Sequence, residues 1–226
     1  MRQLDVPLYI NTSLFVTPNG DVYFENGNKT GQIDKWLHNS KNSELVMMVD
    51  GHCNCLFIDI DDILYCSISE KYKIIQASLT QADPTKPVIL TSFSIDQPGG
   101  IFVDRYRNMY VPNLRSNIIQ MFQPRYQHGF TLVGYSGVGN KSLQGPTDVI
   151  LDAYENLYIA DTGNHRIVRF GRNGLETIIY HSDIEPHIIR FDSQGNLYVL
   201  DRFKNRIQKF LLRPDSCGKY KLIYII

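Results

Sequence analysis

The stretch DVILDAYENLYIADTGNHRIVRF, residues 148–170, contains short apolar runs on both sides of a polar turn. Asp152 and Asn156 bracket that turn, and both residue types tolerate the left-handed backbone that a tight reversal needs. After the turn, residues 157–160 (LYIA) alternate with a period of two, which is typical of a β-strand. The stretch therefore predicts a β-hairpin.

The same pattern occurs five times along the chain, each time as an apolar run followed by a tyrosine. These tyrosines are separated by 42, 45, 48 and 40 residues. They are Tyr23, Tyr65, Tyr110, Tyr158 and Tyr198. Such a period, combined with strand-type alternation, is typical of β-propellers, in which neighbouring four-stranded blades cover each other. No window shows sustained apolar residues at helical spacing, so we do not expect a helical solenoid.

We therefore predict an all-β chain, with one β-propeller domain over residues 1–226. The repeats are expected at about residues 11–50, 51–95, 96–140, 145–184 and 185–226. These are five recognisable four-stranded blades, and they form either a five-bladed ring or an incomplete six-bladed ring. We interpret the repeat tyrosines as core residues, together with the aromatic residues that close most units: Trp36, Phe122, Phe170 and Phe210.

Two segments of the fourth unit resemble the NHL repeat: residues 145–149 (GPTDV) and 156–167 (NLYIADTGNHRI), which includes the Asn-His pair that helps to name it. The fifth unit is similar, the third keeps part of the pattern, and the first two depart from it. The resemblance covers nearly the whole chain and implies NHL-like blades. It also implies a binding scaffold, similar to the NHL domains of TRIM-NHL ubiquitin ligases, which could serve as the substrate-recognition part of such a system. It is specific for fold, and not for activity.

Two Asp-to-Arg pairs have the same spacing of five residues. Asp161 precedes Arg166, and Asp201 precedes Arg206. An aspartate that ends one strand and an arginine that starts the next can pair across the hairpin through a charge-assisted hydrogen bond. We therefore predict that these pairs fix their loops.

The overall charge balance is even, because 23 Lys and Arg residues face 23 Asp and Glu residues. Residues 1–100 carry a net charge of −5, however, and residues 101–226 carry +5. The first residues lack the apolar core of a secretory signal, and no run is long enough to span a membrane, so we expect a cytoplasmic protein without membrane contact. The four cysteines are too few and too clustered for a disulfide framework, and we expect reduced, mostly buried thiols.

No catalytic motif stands out. The six histidines include no His-x-His or His-x-x-x-His pair, and Asp61 and Asp62 fit a solvated turn. We therefore predict no catalytic residues, no metal and no cofactor, and consider a small-molecule substrate improbable. A metal-dependent lyase or hydrolase centred on the propeller channel remains an alternative, because ligands there can come from different blades.

Protein binding through one rim is the leading functional prediction. The candidate binding residues are Arg105, Arg107, Arg202 and Lys204, together with the long insertion at residues 124–145. The second alternative is binding of single-stranded RNA by the basic C-terminal blades, where arginines and lysines alternate with aromatic residues. That alternative requires the basic side chains to gather on one surface.

Overall fold

A computed structural model describes residues 13–26, 31–40, 42–80, 88–90, 95–124, 126, 128–134, 142–214 and 220–225. The described residues form twenty strands and two short 3₁₀ turns, Ser69–Lys71 and Thr162–Asn164. The strands make five antiparallel sheets of four strands each, and every sheet consists of strands that are consecutive in the chain.

The sheets are named blades 1 to 5 in chain order. Blade 1 contains β1 (Leu14–Val16), β2 (Val22–Glu25), β3 (Gln32–Trp36) and β4 (Ser43–Met48). Blade 2 contains β5 (Cys55–Ile58), β6 (Ile63–Ile68), β7 (Lys73–Ser78) and β8 (Val88–Ile89). Blade 3 contains β9 (Phe102–Val103), β10 (Met109–Asn113), β11 (Ile118–Phe122) and β12 (Phe130–Val133). Blade 4 contains β13 (Pro146–Leu151), β14 (Leu157–Asp161), β15 (Arg166–Gly171) and β16 (Gly174–Tyr180). Blade 5 contains β17 (Pro186–Phe191), β18 (Leu197–Asp201), β19 (Arg206–Pro214) and β20 (Tyr220–Ile225).

An aspartate closes the first hairpin of blades 3, 4 and 5 in the same way. Asp152 Oδ1 accepts hydrogen bonds from the backbone N–H groups of Tyr154 and Asn156, both at 2.9 Å. Its Oδ2 accepts from Asn156 Nδ2 at 2.8 Å. Asp104 and Asp192 make the same three contacts in their own blades. The predicted turns between the first two strands are therefore confirmed, and side-chain hydrogen bonds fix them.

The contacts within the chain divide it into two compact units. One comprises residues 1–108 and 123–128, and the other comprises residues 109–122 and 129–226. In the first unit, one apolar cluster joins blades 1 and 2 and includes Ile33, Met47 and Leu64. The prediction of an all-β fold with five four-stranded blades is confirmed. A single domain over residues 1–226 stays a prediction, as does the incomplete six-bladed ring.

The repeat aromatics pack as predicted where blades meet within the second unit. Tyr158 of blade 4 is fully buried, and its ring meets the ring of Phe191 in blade 5 edge-on, at 5.0 Å between centroids. Tyr23, Tyr65, Phe122 and Phe210 are buried as well. Trp36, Tyr110, Phe170 and Tyr198 are half-buried.

The prediction of reduced thiols is wrong for two cysteines. Cys53 and Cys66 form a disulfide, with their Cα atoms 5.4 Å apart. Strand pairing explains the bond: β5 places Leu56 opposite Cys66, so the segment just before β5 returns beside β6. Cys55 is a buried thiol outside this disulfide, and Cys217 lies outside the described residues.

Candidate functional site

Each blade carries an isoleucine at the same position of its third strand, directly opposite the second strand. Four of these side chains are completely buried, with 0 % exposure, whereas the fifth is 66 % exposed. In order, they are Ile33, Ile74, Ile119, Ile167 and Ile207. An apolar side chain that every other repeat buries is therefore open to solvent in blade 5.

The neighbouring blade explains the contrast. In blade 4, Asp148, Ala160 and Ile167 form a row of cross-strand partners, and all three are buried at the side where blade 5 packs. The corresponding row in blade 5 is Ile188, Leu200 and Ile207. Ile188 is 39 % exposed and Leu200 is half-buried, so the whole row lacks full cover. We call this row, together with the adjoining turn Arg202–Lys204, the blade-5 face.

The turn contributes exposed aromatic and basic groups to the blade-5 face. Phe203 is 68 % exposed, and Arg202 and Lys204 flank it. The Lys204 ammonium lies 3.2 Å from Asp183 Oδ2, and its hydrogen bond lowers the pKa of that carboxyl. Arg202 donates its backbone N–H to the carbonyl of Glu185 at 3.0 Å. The turn is thus anchored to the strand connection that precedes blade 5.

The predicted Asp–Arg pairs form, and they hold these turns. Arg166 Nε lies 2.6 Å from Asp161 Oδ2, and Arg206 Nε lies 3.0 Å from Asp201 Oδ2. The second oxygen of each aspartate accepts a backbone N–H from the connection before its own blade, from Gln144 for Asp161 and from Glu185 for Asp201. The pairs therefore have a structural role, and Arg202 and Lys204 project from a fixed loop.

Arg105 and Arg107 occupy a different place in the blade repeat. Both lie between β9 and β10, in a turn between first and second strands, whereas Arg202 and Lys204 lie between second and third strands. In an antiparallel sheet, those two turns are at opposite ends of the blade. Arg107 Nε pairs with Asp61 Oδ2 at 2.7 Å, which raises the pKa of the guanidinium, and Arg105 stacks on the ring of Tyr106. The four predicted residues therefore do not share one position on the blade.

Several basic residues that RNA binding would require already form ion pairs within the protein. Arg107, Arg166, Arg169, Lys204, Arg206 and Lys209 each pair with a carboxylate. Phosphate contacts require cationic groups that are available to the nucleic acid. These pairs reduce the number of cations that are available to phosphate groups in the described parts of blades 4 and 5.

Asp148 and His187 form the most unusual buried polar cluster in the described residues. Asp148 is 2 % exposed; its Oδ2 accepts from Ile189 N at 2.8 Å and from Arg190 Nη1 at 2.5 Å, while its Oδ1 has no partner there. Burial raises the pKa of the Asp148 carboxyl and lowers the pKa of the His187 imidazole. The Nδ1 atom of His187 is likewise buried and unpaired among the described atoms.

In other blades, the residue at the position of Asp148 accepts a backbone hydrogen bond from the next blade. Asp148 therefore has a structural role in linking two blades. Ser13 Oγ accepts a hydrogen bond from Leu56 N at 2.6 Å, and Cys55 Sγ accepts from Ile101 N at 3.3 Å, each from the next blade. Asp148 does the same with Ile189 N. Across the described residues, no group of three or more His, Cys, Asp or Glu side chains is arranged to hold a metal ion. The cluster therefore does not amount to a metal centre.

Sequence reasoning proposed Arg202 and Lys204 as candidates but did not indicate the exposed apolar residues beside them. Ile207 has the same residue type and repeat position as four core isoleucines, so its sequence context indicated burial.

No protein-family profile and no curated protein matches this chain. Several solved structures share its fold. A catalytically inactive alanine variant of virginiamycin B lyase from Staphylococcus aureus, solved with quinupristin, has 16% identity and a TM-score of 0.70, over 95% of this chain and 71% of that one. A streptogramin B lyase structure has 17% identity and a TM-score of 0.72, over 96% and 71% of the two chains. A chain from a nidogen/laminin complex has 18% identity and a TM-score of 0.71, over 88% and 74%.

The fold is a β-propeller. At 16–18% identity these likenesses concern the fold alone, and the resemblance to NHL repeats stays a prediction. The similar structures include an enzyme and a member of a protein complex, so the fold accommodates both catalysis and binding. Within the described residues, no helix is long and apolar enough to cross a membrane.

Proposed function

We propose that this chain is a non-catalytic propeller scaffold that binds a protein partner through the blade-5 face. The observation that carries the proposal is the exposure of Ile207, because the same isoleucine is buried in each of the other four blades. Exposed apolar surface with a polar rim is typical of protein interaction sites. Phe203 and Arg202 add the aromatic and guanidinium groups that often dominate binding energy at such sites.

The exposed Arg202 at the border of this face favours a partner that places an acidic group beside an apolar centre. Arg190 pairs with the buried Asp148 of blade 4, and Lys204 pairs with Asp183, so both cations already have a carboxylate partner within the protein. Complementary charge speeds association and fixes the orientation of the partner. A chain of similar fold was solved in a nidogen/laminin complex, which is consistent with a protein partner.

Other functions receive less support from the described residues. The internal ion pairs of the basic residues weaken the RNA alternative, and a role in a ubiquitin-ligase-type system rests on the NHL resemblance alone. The lyase alternative lacks a converging set of metal ligands in the described part of the chain. The Cys53–Cys66 disulfide is more usual in an oxidising compartment, which weighs against the cytoplasmic prediction.

Quantitative affinity capture with three baits tests the proposal: the wild-type chain, Ile207→Lys and the control Ile60→Lys. Ile60 is 75 % exposed in the turn before β6, so its substitution adds the same charge away from the blade-5 face. We expect a partner that the wild type and Ile60→Lys retain and that Ile207→Lys loses. Because Ile207 is exposed, its variant should keep the circular dichroism spectrum of the wild type.

Two results would overturn the proposal. The first is equal capture by the wild type and Ile207→Lys, which would place the interface elsewhere. The second is equal loss of capture by Ile60→Lys and Ile207→Lys, which would show a general charge effect. Phe203→Ala then gives an independent check, since it removes the exposed ring without adding a charge.

A further inference from the structure

A polar cavity of about 320 Å³ lies at one end of blade 4. It is bounded by the turn before β14 and by the turn between β15 and β16, far along the sheet from the Thr162–Asn164 turn. Its volume is within the range of small-ligand sites. The lining residues are Tyr154, Asn156, Arg169, Gly171, Arg172, Asn173, Gly174 and Glu176. None of them belongs to the blade-5 face.

A glycine opens this cavity in blade 4. A Cβ atom added to Gly171 would lie 2.4 Å from Asn156 Oδ1, a distance that real side chains do not allow. Asn156 cannot easily move away, because Asp152 binds both its backbone N–H and its side-chain amide. The other four blades have larger residues at this position: Leu37, Ser78, Gln123 and Leu211. Among the five blades, only blade 4 has a glycine at this position.

The groups around the cavity suit a ring that bears both hydroxyl groups and a negative charge. Tyr154 is 81 % exposed and offers a flat aromatic face. Arg172 and Asn173 are exposed at the tip of the opposite turn, where they can donate hydrogen bonds to an anion. The carboxylate of Glu176 is 45 % exposed and pairs with Arg169 at 2.7 Å. It can accept hydrogen bonds from hydroxyl groups.

From this arrangement we infer that blade 4 binds an acidic saccharide at the cavity. One sugar ring stacks its C–H face on Tyr154, and its carboxylate pairs with Arg172. Its hydroxyl groups donate to Glu176 and exchange hydrogen bonds with the side-chain amide of Asn173. The inference is independent of the protein interface on blade 5, since the two sites share no residue.

Isothermal titration of the full chain with trigalacturonate tests the inference. We expect binding by the wild type, and weakening by about tenfold or more for Tyr154→Ala and for Arg172→Gln. The matched control is Tyr106→Ala, because Tyr106 occupies the same turn position in blade 3, is 60 % exposed and lies outside the cavity. The control should bind trigalacturonate as the wild type does.

Tetraglutamate and inorganic phosphate are titrated in parallel. Titration up to about 10 mM trigalacturonate detects even weak sites. Absence of binding over this range would overturn the inference. Equal loss of affinity in Tyr106→Ala and Tyr154→Ala would also overturn it. Tighter binding of tetraglutamate or phosphate than of trigalacturonate would overturn the saccharide assignment. Gly171→Ala offers a second approach: its Cβ would displace the Asn156 side chain at the cavity wall and should weaken saccharide binding without removing a polar group.

Discussion

At the scale of single residues, burial depends on the neighbouring blade and not on residue type. Ile167 and Ile207 are the same residue at the same repeat position, yet one is fully buried and the other is 66 % exposed. Truncating a buried isoleucine removes apolar burial and leaves a cavity. Truncating an exposed isoleucine removes little apolar burial and leaves no cavity.

We predict that Ile167→Ala lowers the free energy of unfolding by about 3 kcal/mol, whereas Ile207→Ala changes it by less than about 0.5 kcal/mol. Urea denaturation of both variants and the wild type measures the difference. Ile119→Ala serves as a second buried reference within the same unit. A large loss in Ile207→Ala would contradict the open blade-5 face, because it would mean that this side chain is covered in solution.

The ion pairs show which contacts between residues could be predicted from the sequence. The Asp161–Arg166 and Asp201–Arg206 pairs were predictable, because both partners lie in one hairpin and their spacing places them opposite each other. The Arg107–Asp61 and Arg190–Asp148 pairs join different blades, and no spacing in the chain indicates them. The exposure of Ile207 was not predictable either, since it depends on packing between distant parts of the chain and not on a local pattern.

At the scale of elements, strands and turns were largely predictable from alternation and from turn residues. The insertion at 124–145 is an exception. We predicted that this segment presents a binding loop, although the four-stranded repeat at 96–140 also requires a fourth strand there. The structure places that strand, β12 of blade 3, at Phe130–Val133. Fourth strands have weak sequence signals, because their outer positions alternate less strictly between buried and exposed residues. Phe130 is exposed, and the next three residues are half-buried.

The Cys53–Cys66 disulfide ties the connection before β5 to β6, and it is an element-scale feature that the sequence did not indicate. A crosslink over 13 residues restricts the unfolded chain. We predict that reduction with dithiothreitol lowers the free energy of unfolding by about 3 kcal/mol. Denaturation with and without the reductant measures this loss.

The control is the double variant Cys53→Ser with Cys66→Ser, whose stability should not respond to dithiothreitol. Mass spectrometry after alkylation without reduction should label Cys55 and Cys217 only, once the chain is unfolded. Labelling of all four cysteines would contradict the disulfide and restore the prediction of reduced thiols.

At the scale of the whole molecule, the response to acid combines groups of opposite sign. Hydrogen bonds from Asn196, Lys209 and Gln194 outweigh desolvation and lower the pKa of Asp192 to about 2. The stability that the ionised Asp192 contributes is fully present above the pKa of the unfolded chain, near 4. It is lost as the pH decreases from there toward 2. Burial raises the pKa of Asp148, so its contribution has the opposite sign: stability decreases as the pH rises from about 4 through the folded pKa.

His187 adds a further decrease in stability at milder pH. Burial lowers the pKa of its imidazole. Below about pH 6.5, the unfolded chain therefore binds more protons than the folded chain, and the stability decreases as the pH decreases. We predict that the free energy of unfolding of the wild type is lower at pH 5 than at pH 7, and that His187→Gln removes part of this difference. Urea denaturation at both pH values measures it, with His181→Gln as the control, since His181 is exposed in the connection before β17. An equal pH response in His187→Gln and the wild type would show that the imidazole titrates normally, and that its surroundings in the folded protein are solvated.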